Sequence, residues 1–330
     1  MRRTAIQTLI LSTFITGASL ASLSAQAADA SLAPQVAQKP RYKVGFAQSE
    51  NDNPWRIAET KSMRDIAAKC NWDIVVTDAG SSAAKQVSDI DNLIAQKVDL
   101  LVVPPREEKP LIPAVMKAKR AKIPLILVDR NVDQKVVQAG RDYVTFIGSD
   151  FVDQGRRAAQ WLIEKTGGKA TIIELEGSTG SSPANDRKRG FDELIKKQPG
   201  MKIVASQNGE FNRDKGRQVA ETLLQAHPDV TAVYAHNDEM AVGAIVALEA
   251  AGKVPGRDVT VVSVDGTRDA LQLIAAGKMG ATVQSSPFFG PLACQTAQRS
   301  AKGEKIEPWV KVKDMLYDKS NAAASVSSAY

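Results

Sequence analysis

The chain has 330 residues, 43 of them Lys or Arg against 37 Asp or Glu, giving a net charge of +6, and 43% of the residues are hydrophobic. That length supports more than one hydrophobic core, and the charges are interleaved rather than blocked, which excludes a disordered polyelectrolyte and a basic nucleic-acid stripe. Two cysteines (Cys70, Cys294) and two histidines (His227, His236) without ligand-like spacing offer no metal site.

The first residues read as a secretory leader. Arg2 and Arg3 precede a short apolar stretch over 5–23, followed by Ala25-Gln26-Ala27, the small-x-small pattern at which signal peptidases cut. The stretch is barely long enough to span a bilayer, and no Cys stands at the cleavage point to carry a lipid. Cleavage near Ala27 is expected, which leaves an exported, periplasmic chain with a net charge of +4.

Beyond the leader, β-branched apolar runs recur at 42–46, 72–76, 99–103, 125–128, 144–147, 171–175, 202–205, 231–234, 260–264 and 281–283. Most are spaced by the length of one strand–helix unit, and segments such as 83–96, 154–165 and 239–251 carry apolar residues at helical spacing. The runs are nearly continuous, as in parallel strands covered on both faces. The fold class is therefore α/β, doubly wound. Ten strands are many for one open twisted sheet, so two lobes are expected, with the polar stretch 131–142 as the first boundary. Cys70 and Cys294 are left open between pairing and remaining free thiols.

In open α/β sheets, ligands bind beyond the carboxyl ends of the strands. Those positions hold Gln48 to Arg56 with Glu59, then Pro105-Arg106, then Asp129-Arg130-Asn131. Later come Asn185-Asp186-Arg187, Gly209 to Arg213 around Phe211, His236-Asn237-Asp238, Asp265-Gly266 and Gln284-Ser285. Asn51, Asp150 and Asp238 read as helix N-caps, and His236 reads as structural. The set as a whole is rich in carboxylates, amides and guanidinium groups, which match the vicinal hydroxyls of a sugar. Trp55 and Phe211 add flat apolar faces. No glycine-rich phosphate loop follows the first strand, and neither G-x-S-x-G nor H-E-x-x-H is present. The reading is a receptor rather than an enzyme, with no cofactor.

From residue 41 to about 318 the chain resembles the type I periplasmic binding proteins of the ribose/galactose group that serve ABC sugar importers. The likeness is greatest to the galactofuranose-binding branch. It is carried by Val44-Gly45-Phe46-Ala47-Gln48, Asn53-Pro54-Trp55-Arg56, Val128-Asp129-Arg130, Gly148-Ser149-Asp150 with Gly155, and Asp186-Arg187-Lys188-Arg189-Gly190-Phe191. It continues through Gly209-Glu210-Phe211-Asn212-Arg213, Ala235-His236-Asn237-Asp238 and Val264-Asp265-Gly266.

The resemblance implies two similar lobes joined by three crossing segments: 41–131 with 266–308, and 132–265 with 309–325. It implies ligand contacts from Asn53, Trp55, Arg56, Asp129, Arg130, Arg187, Asn237 and Asp265, with Phe211 at a ring-stacking position. Glu59 joins this set from the strand-one loop. Arg106 and Gln284 depart from the galactofuranose pattern, one adding a charge and the other replacing a carboxylate, and both are expected to retune the pocket. The implied partners are a neutral monosaccharide, such as a furanose, and an inner-membrane ABC permease, with the receptor a monomer. The alternatives are a sugar sensor that presents its ligand to a chemotaxis or kinase receptor, or a receptor for a related polyol. A sugar-responsive repressor would need a helix-turn-helix headpiece where this chain has its leader.

Overall fold

The apolar runs become strands because their residues alternate between two helix-covered faces. In β3 (Leu100–Val103), Leu100 and Val102 pack in one core while Leu101 and Val103 pack in another on the opposite face. In β8 (Ala232–Ala235) the same split sends Val233 and Ala235 one way and Ala232 and Tyr234 the other. With both faces buried, period-2 alternation still operates, but both phases are apolar. The computed structural model describes residues 32–330, so the expected leader lies outside the described residues.

Two six-stranded sheets result. The first is built from β1 (Tyr42–Gln48), β2 (Trp72–Asp78), β3, β4 (Leu125–Val128), β5 (Thr145–Gly148) and β11 (Trp309–Lys311), in the order β11-β5-β4-β3-β1-β2. The second takes β6 (Lys169–Glu176), β7 (Gly200–Asn208), β8, β9 (Thr260–Asp265), β10 (Ala281–Gln284) and β12 (Leu316–Asp318), in the order β12-β10-β9-β8-β6-β7. The orders are the same pattern used twice. All pairings are parallel except β10 with β12. In each sheet the order reverses beside the first strand, between β1 and β3 and between β6 and β8, which are the switch points where open α/β sheets take ligands.

The strand pairings move the expected lobe boundaries. β5 belongs to the first sheet, not to the second lobe, and β10 belongs to the second sheet, not to the first. β11, expected in the second lobe, pairs with β5. The stretch 131–142 is not a hinge, because Val132, Val137 and Tyr143 are buried in the first-lobe core and hold it down. The chain crosses between sheets after β5, after β10 and between β11 and β12. Three-residue strands such as β11 and β12 are too short for a periodic signal, and their parent sheets had to be known first.

The helices that matter for the site are α1 (Pro54–Ala67), α4 (Phe151–Thr166), α5 (Ser182–Ile195), α7 (Asp238–Ala250), α8 (Arg268–Ala275) and α9 (Gly290–Ala301). The remaining helices are α2 (Ala83–Ala95), α3 (Ile112–Arg120), α6 (Arg213–Ala226) and α10 (Ala322–Ser325). Among the described residues, no helix is long and apolar enough to cross a membrane. After the second crossing α9 returns to the first lobe, where Ala293, Cys294 and Ala297 pack with Met63, Cys70 and Trp72. Gly290 allows that return, since a Cβ there would sit 2.2 Å from the Ser62 carbonyl oxygen.

Cys70 and Cys294 form a disulfide across 224 residues, which resolves the pairing that spacing had left open. It anchors the returning helix to the end of the first, and a link closing so long a loop restricts the unfolded chain strongly. Replacing both cysteines with Ser should lower stability by about 2–4 kcal/mol. Thermal melts of the variant, and of the native protein with and without reductant, test this. A midpoint unchanged in all three would show that the link adds nothing to stability.

Candidate ligand-binding site

The carboxyl ends of both sheets face one cleft. Glu50, Asn53, Trp55, Arg56, Asp129 and Arg130 line it from the first lobe, and Pro183, Arg187, Phe211, Asn237 and Asp265 line it from the second. The gap between the walls, counted together with its solvent-open mouth, is about 340 Å³.

The first-lobe wall begins with a helix cap. Asn53 is extended, and its Oδ1 accepts from the Arg56 amide at 3.0 Å, so Pro54 sits at the start of α1 where no N–H is needed. This start turns Trp55 and Arg56 inward. The Trp55 Nε1 donates to the Ser285 carbonyl at 2.7 Å, tying the wall to the second crossing segment. The Arg56 guanidinium lies 4.6 Å from the Trp55 ring centre and meets three carboxylates. Its Nε donates to Glu50 at 3.1 Å, Nη1 to Glu59 at 2.7 Å, and Nη2 lies 2.7 Å from Asp129. Arg130 reinforces the cluster from its own strand end, with Nη2 donating to Glu50 at 2.7 Å.

These buried charges settle one another. Burial works to raise the Glu50 carboxyl, but Arg130, Arg56 and Arg106 overcome it and hold the group at about 2. Burial lowers Arg130 to about 10, with Arg56 pushing the same way and Glu50 opposing, so it stays charged at neutral pH. Glu59 is further from the cleft and fully buried. There burial wins over Arg56 and raises it to about 7.

The second-lobe wall depends on close helix packing. A Cβ on Gly155 of α4 would meet the Arg187 carbonyl oxygen at 2.2 Å, and one on Gly190 of α5 would meet the Val152 carbonyl oxygen at 2.1 Å. The two glycines let α4 and α5 touch, which brings Gln154 to Arg187. The Arg187 Nε donates to Gln154 at 2.9 Å and Nη1 to the His236 carbonyl at 2.6 Å, leaving Nη2 3.8 Å from Asp265. Burial pushes the Asp265 carboxyl well above its usual range, with Arg187 opposing. Gly177 leaves room for the Phe211 ring, whose edge would lie 1.9 Å from a Cβ there. Asn237 caps α7 with its Oδ1 and donates its Nδ2 to the Phe211 carbonyl at 3.1 Å, fixing the ring's loop.

Three cleft residues sit in backbone conformations that non-glycine residues avoid: Asp129 at φ 56°, Phe211 at φ 58° and Asp265 at φ 142°. Such strain persists only where surrounding structure enforces it, and it concentrates at binding sites. All three stand at or just beyond strand ends in this one cleft.

Of the residues read from sequence, Asn53, Trp55, Arg56, Asp129, Arg130, Arg187, Phe211, Asn237 and Asp265 come together here. Glu59, Arg106 and Gln284 do not line the cleft. Glu59 lies behind Arg56, holding it. Arg106 reaches the Ser81 carbonyl, Glu50 and Glu210 at the rim, so its charge is spent on bracing Glu50. The Gln284 side chain accepts from the Met315 amide in the crossing segments. Two lining residues were missed, Glu50 and Pro183. Glu50 was one polar residue in a polar loop, and its role becomes visible only when Arg56 and Arg130 converge on it.

The cap assignments also shift. Asp150 caps α4 as read, but Asn53 and Asn237 are the caps where Asn51 and Asp238 were expected. The α8 cap is Thr267, so Asp265 has no capping duty. His236 is buried, its Nδ1 accepting from the Gly177 amide and its Nε2 facing Glu174 at 3.1 Å.

The fold and cleft now have named counterparts. Residues 44–305 match the periplasmic binding protein domain family. The chain is 35% identical over 270 residues to the ribose import binding protein of Bacillus subtilis, covering 82% of this chain and 85% of that protein. It is 34% identical over 279 residues to the galactofuranose-binding protein of Escherichia coli, covering 83% and 87%. Among solved structures, the periplasmic component of the arabinose ABC transporter from Shewanella sp. ANA-3, bound to α- and β-L-arabinofuranose, superposes with a TM-score of 0.81. It is 37% identical, with 87% of this chain and 95% of that chain covered. The chain belongs to the type I periplasmic sugar-binding proteins of the ribose/galactose family. Members of this family are solute receptors rather than enzymes.

Glu59 gives the site a pH signature. Its carboxyl titrates near 4.5 in an ordinary setting and near 7 when folded, so the native state binds the proton more tightly. Its stabilising contribution is full below about pH 4.5 and is lost as pH rises towards 7. Glu59→Gln, which mimics the protonated acid, should flatten the fall in melting midpoint across that window. Scanning calorimetry from pH 4.5 to about 8 measures it, and parallel curves for both proteins would refute the assignment.

Proposed function

We propose that the chain is the solute receptor of an ABC importer, capturing one neutral monosaccharide, in its furanose form, between the two lobes. The carrying observation is the convergence of strained Asp129, Phe211 and Asp265 on a cleft whose carboxylates and guanidinium groups are close to balanced. A strongly charged ligand would leave one sign unpaired and desolvated. Sugar hydroxyls accept from the arginines and donate to the carboxylates, while Trp55 and Phe211 cover the apolar ring faces. The furanose form draws its support from the galactofuranose- and arabinofuranose-binding relatives. Because both lobes supply polar groups to the cleft, a bound sugar satisfies both sets only when the lobes are together, and the closed receptor is the form offered to the inner-membrane permease.

Calorimetry against pentoses, hexoses, furanosyl sugars, polyols, phosphorylated sugars and amino acids tests the reading. A neutral sugar should bind alone among these classes. Binding confined to a phosphorylated sugar or an amino acid would overturn it. Export follows the same reading, and the mature protein in a periplasmic extract should begin at about residue 28.

Asp265→Asn separates a ligand contact from scaffolding. The carboxyl is buried, held above its usual range and free of capping, so the amide should leave the melting midpoint at or above the native value. Sugar affinity should fall roughly 10- to 150-fold, the worth of one charged hydrogen bond. Unchanged affinity with a lowered midpoint would make Asp265 structural.

A further inference from the structure

A tail of the second lobe reaches the first beside the cleft. Helix α10 and the residues after it pack on the second-lobe core through Ala322, Val326 and Ala329. The Arg268 amide at the start of α8 donates to the Tyr330 main-chain oxygen at 3.1 Å, and its guanidinium donates to the Ala329 carbonyl at 2.7 Å. So anchored, the Tyr330 ring leaves its own lobe. It packs against the first-lobe cluster that contains Trp55, Met63 and Phe289, and it meets Phe288 of the second crossing segment edge-on at 6.0 Å. It shares a surface depression with Ala58, Ser62 and Ile66 of α1. Its hydroxyl is buried and has no hydrogen-bond partner among the described residues. The carboxyl groups that act on that hydroxyl most strongly are Asp265, in the second-lobe wall of the cleft, and Asp238.

We propose that Tyr330 is a clasp that holds the two lobes in the closed arrangement, and that it sets sugar affinity through closure rather than through contact with the sugar. The backbone of the clasp is fixed to the Asp265 side of the cleft and its ring to the Trp55 side, so the whole contact exists in one relative placement of the lobes. Apparent affinity scales with the fraction of receptor in the binding-competent state. Loss of the ring therefore weakens every ligand by the same factor and quickens release. The hydroxyl contributes nothing to this, because it is buried without a partner, and its removal should be neutral or stabilising.

The inference rests on the sugar-receptor reading, so the experiment has an arm that needs no ligand. Small-angle scattering of the ligand-free proteins should give a larger radius of gyration for Tyr330→Ala than for the native chain, and a native value for Tyr330→Phe. An equal radius in Tyr330→Ala overturns the clasp whatever sugar binds, whereas a native protein that binds no sugar overturns only the functional reading. With the sugar identified by calorimetry, Tyr330→Ala should bind roughly 3- to 10-fold more weakly, as expected for one lost aromatic contact, with the change in the dissociation rate. Tyr330→Phe should bind like the native receptor and melt no lower. If Tyr330→Phe loses as much affinity as Tyr330→Ala, the hydroxyl acts in the site and the clasp is wrong. If Tyr330→Ala lowers only the melting midpoint, Tyr330 is packing and the clasp is likewise wrong.

Discussion

A guanidinium group is costly to bury unless hydrogen-bonding carboxyl groups surround it, and Arg56 is buried against three of them. That one constraint organises the first-lobe wall. Glu50, Glu59 and Asp129 arrive from the first loop, the first helix and the fourth strand, and each is held in place by the same cation. Breaking such a cluster by removing one partner leaves an uncompensated buried charge, which is far costlier than the cluster is stabilising. The arrangement is therefore rigid before any ligand arrives. It also leaves hydrogen-bonding capacity unspent. Asp129 Oδ2, close to Arg56 but poorly aligned with it, and Arg130 Nε have no hydrogen-bond partner among the described residues. Groups already desolvated and fixed in direction cost little further ordering when a polar group of a ligand meets them.

The second lobe reaches the same end with fewer charges and closer packing. Arg187 is held by an amide and a carbonyl, from Gln154 and His236, so neutral groups orient its guanidinium, with the Asp265 carboxyl 3.8 Å away. That geometry exists because Gly155 and Gly190 let two helices approach within backbone contact. A glycine on a helix normally weakens it, by roughly 1 kcal/mol relative to Ala. Here the loss brings an arginine to the carboxyl edge of a sheet whose own strand-end loops are strained. The lobes share a strand order and differ in how they fix their arginines.

The parts of this structure that were legible in the sequence are those encoded locally. Ten strands were visible because each is a short β-branched run bounded by turn residues, and the double winding because both faces are apolar. The cleft lining was legible to the extent that strand ends can be located, which brought Trp55, Arg56, Asp129, Arg187 and Asp265 to it. What failed depends on pairing between distant segments. The lobe boundary at 131–142 looked like a linker by its polarity, yet Val132 and Val137 seal it to the core. The Cys70–Cys294 link joins positions that no spacing rule connects. Arg106 and Gln284 stand at strand ends like the true lining residues, but their side chains turn to Glu50 and to a crossing segment instead.

The strained end of β9 at Asp265 is braced from behind by a buried polar side chain that does not line the cleft. In the second lobe this is Asp238. It accepts from the Thr267 amide and hydroxyl at 2.7 and 3.0 Å, from Thr282 at 2.7 Å and from Ser263. Thr282 in turn accepts from the Gly266 amide at 3.2 Å. The network pins Gly266 and Thr267, so Asp265 just before them has no freedom to relax from φ 142°. In the first lobe Gln86 braces unstrained strand ends instead, donating to the Ala47 and Pro104 carbonyls and accepting from the Arg106 amide, so the ends of β1 and β3 stay in register at the switch point. A carboxylate or amide satisfied on every side is costly to disturb, and that cost transfers to the loop it holds. The site thus has two layers, a strained one facing the cleft and a fully hydrogen-bonded one behind it. At Asp265 the strain is tolerable because that second layer gives the backbone no better alternative.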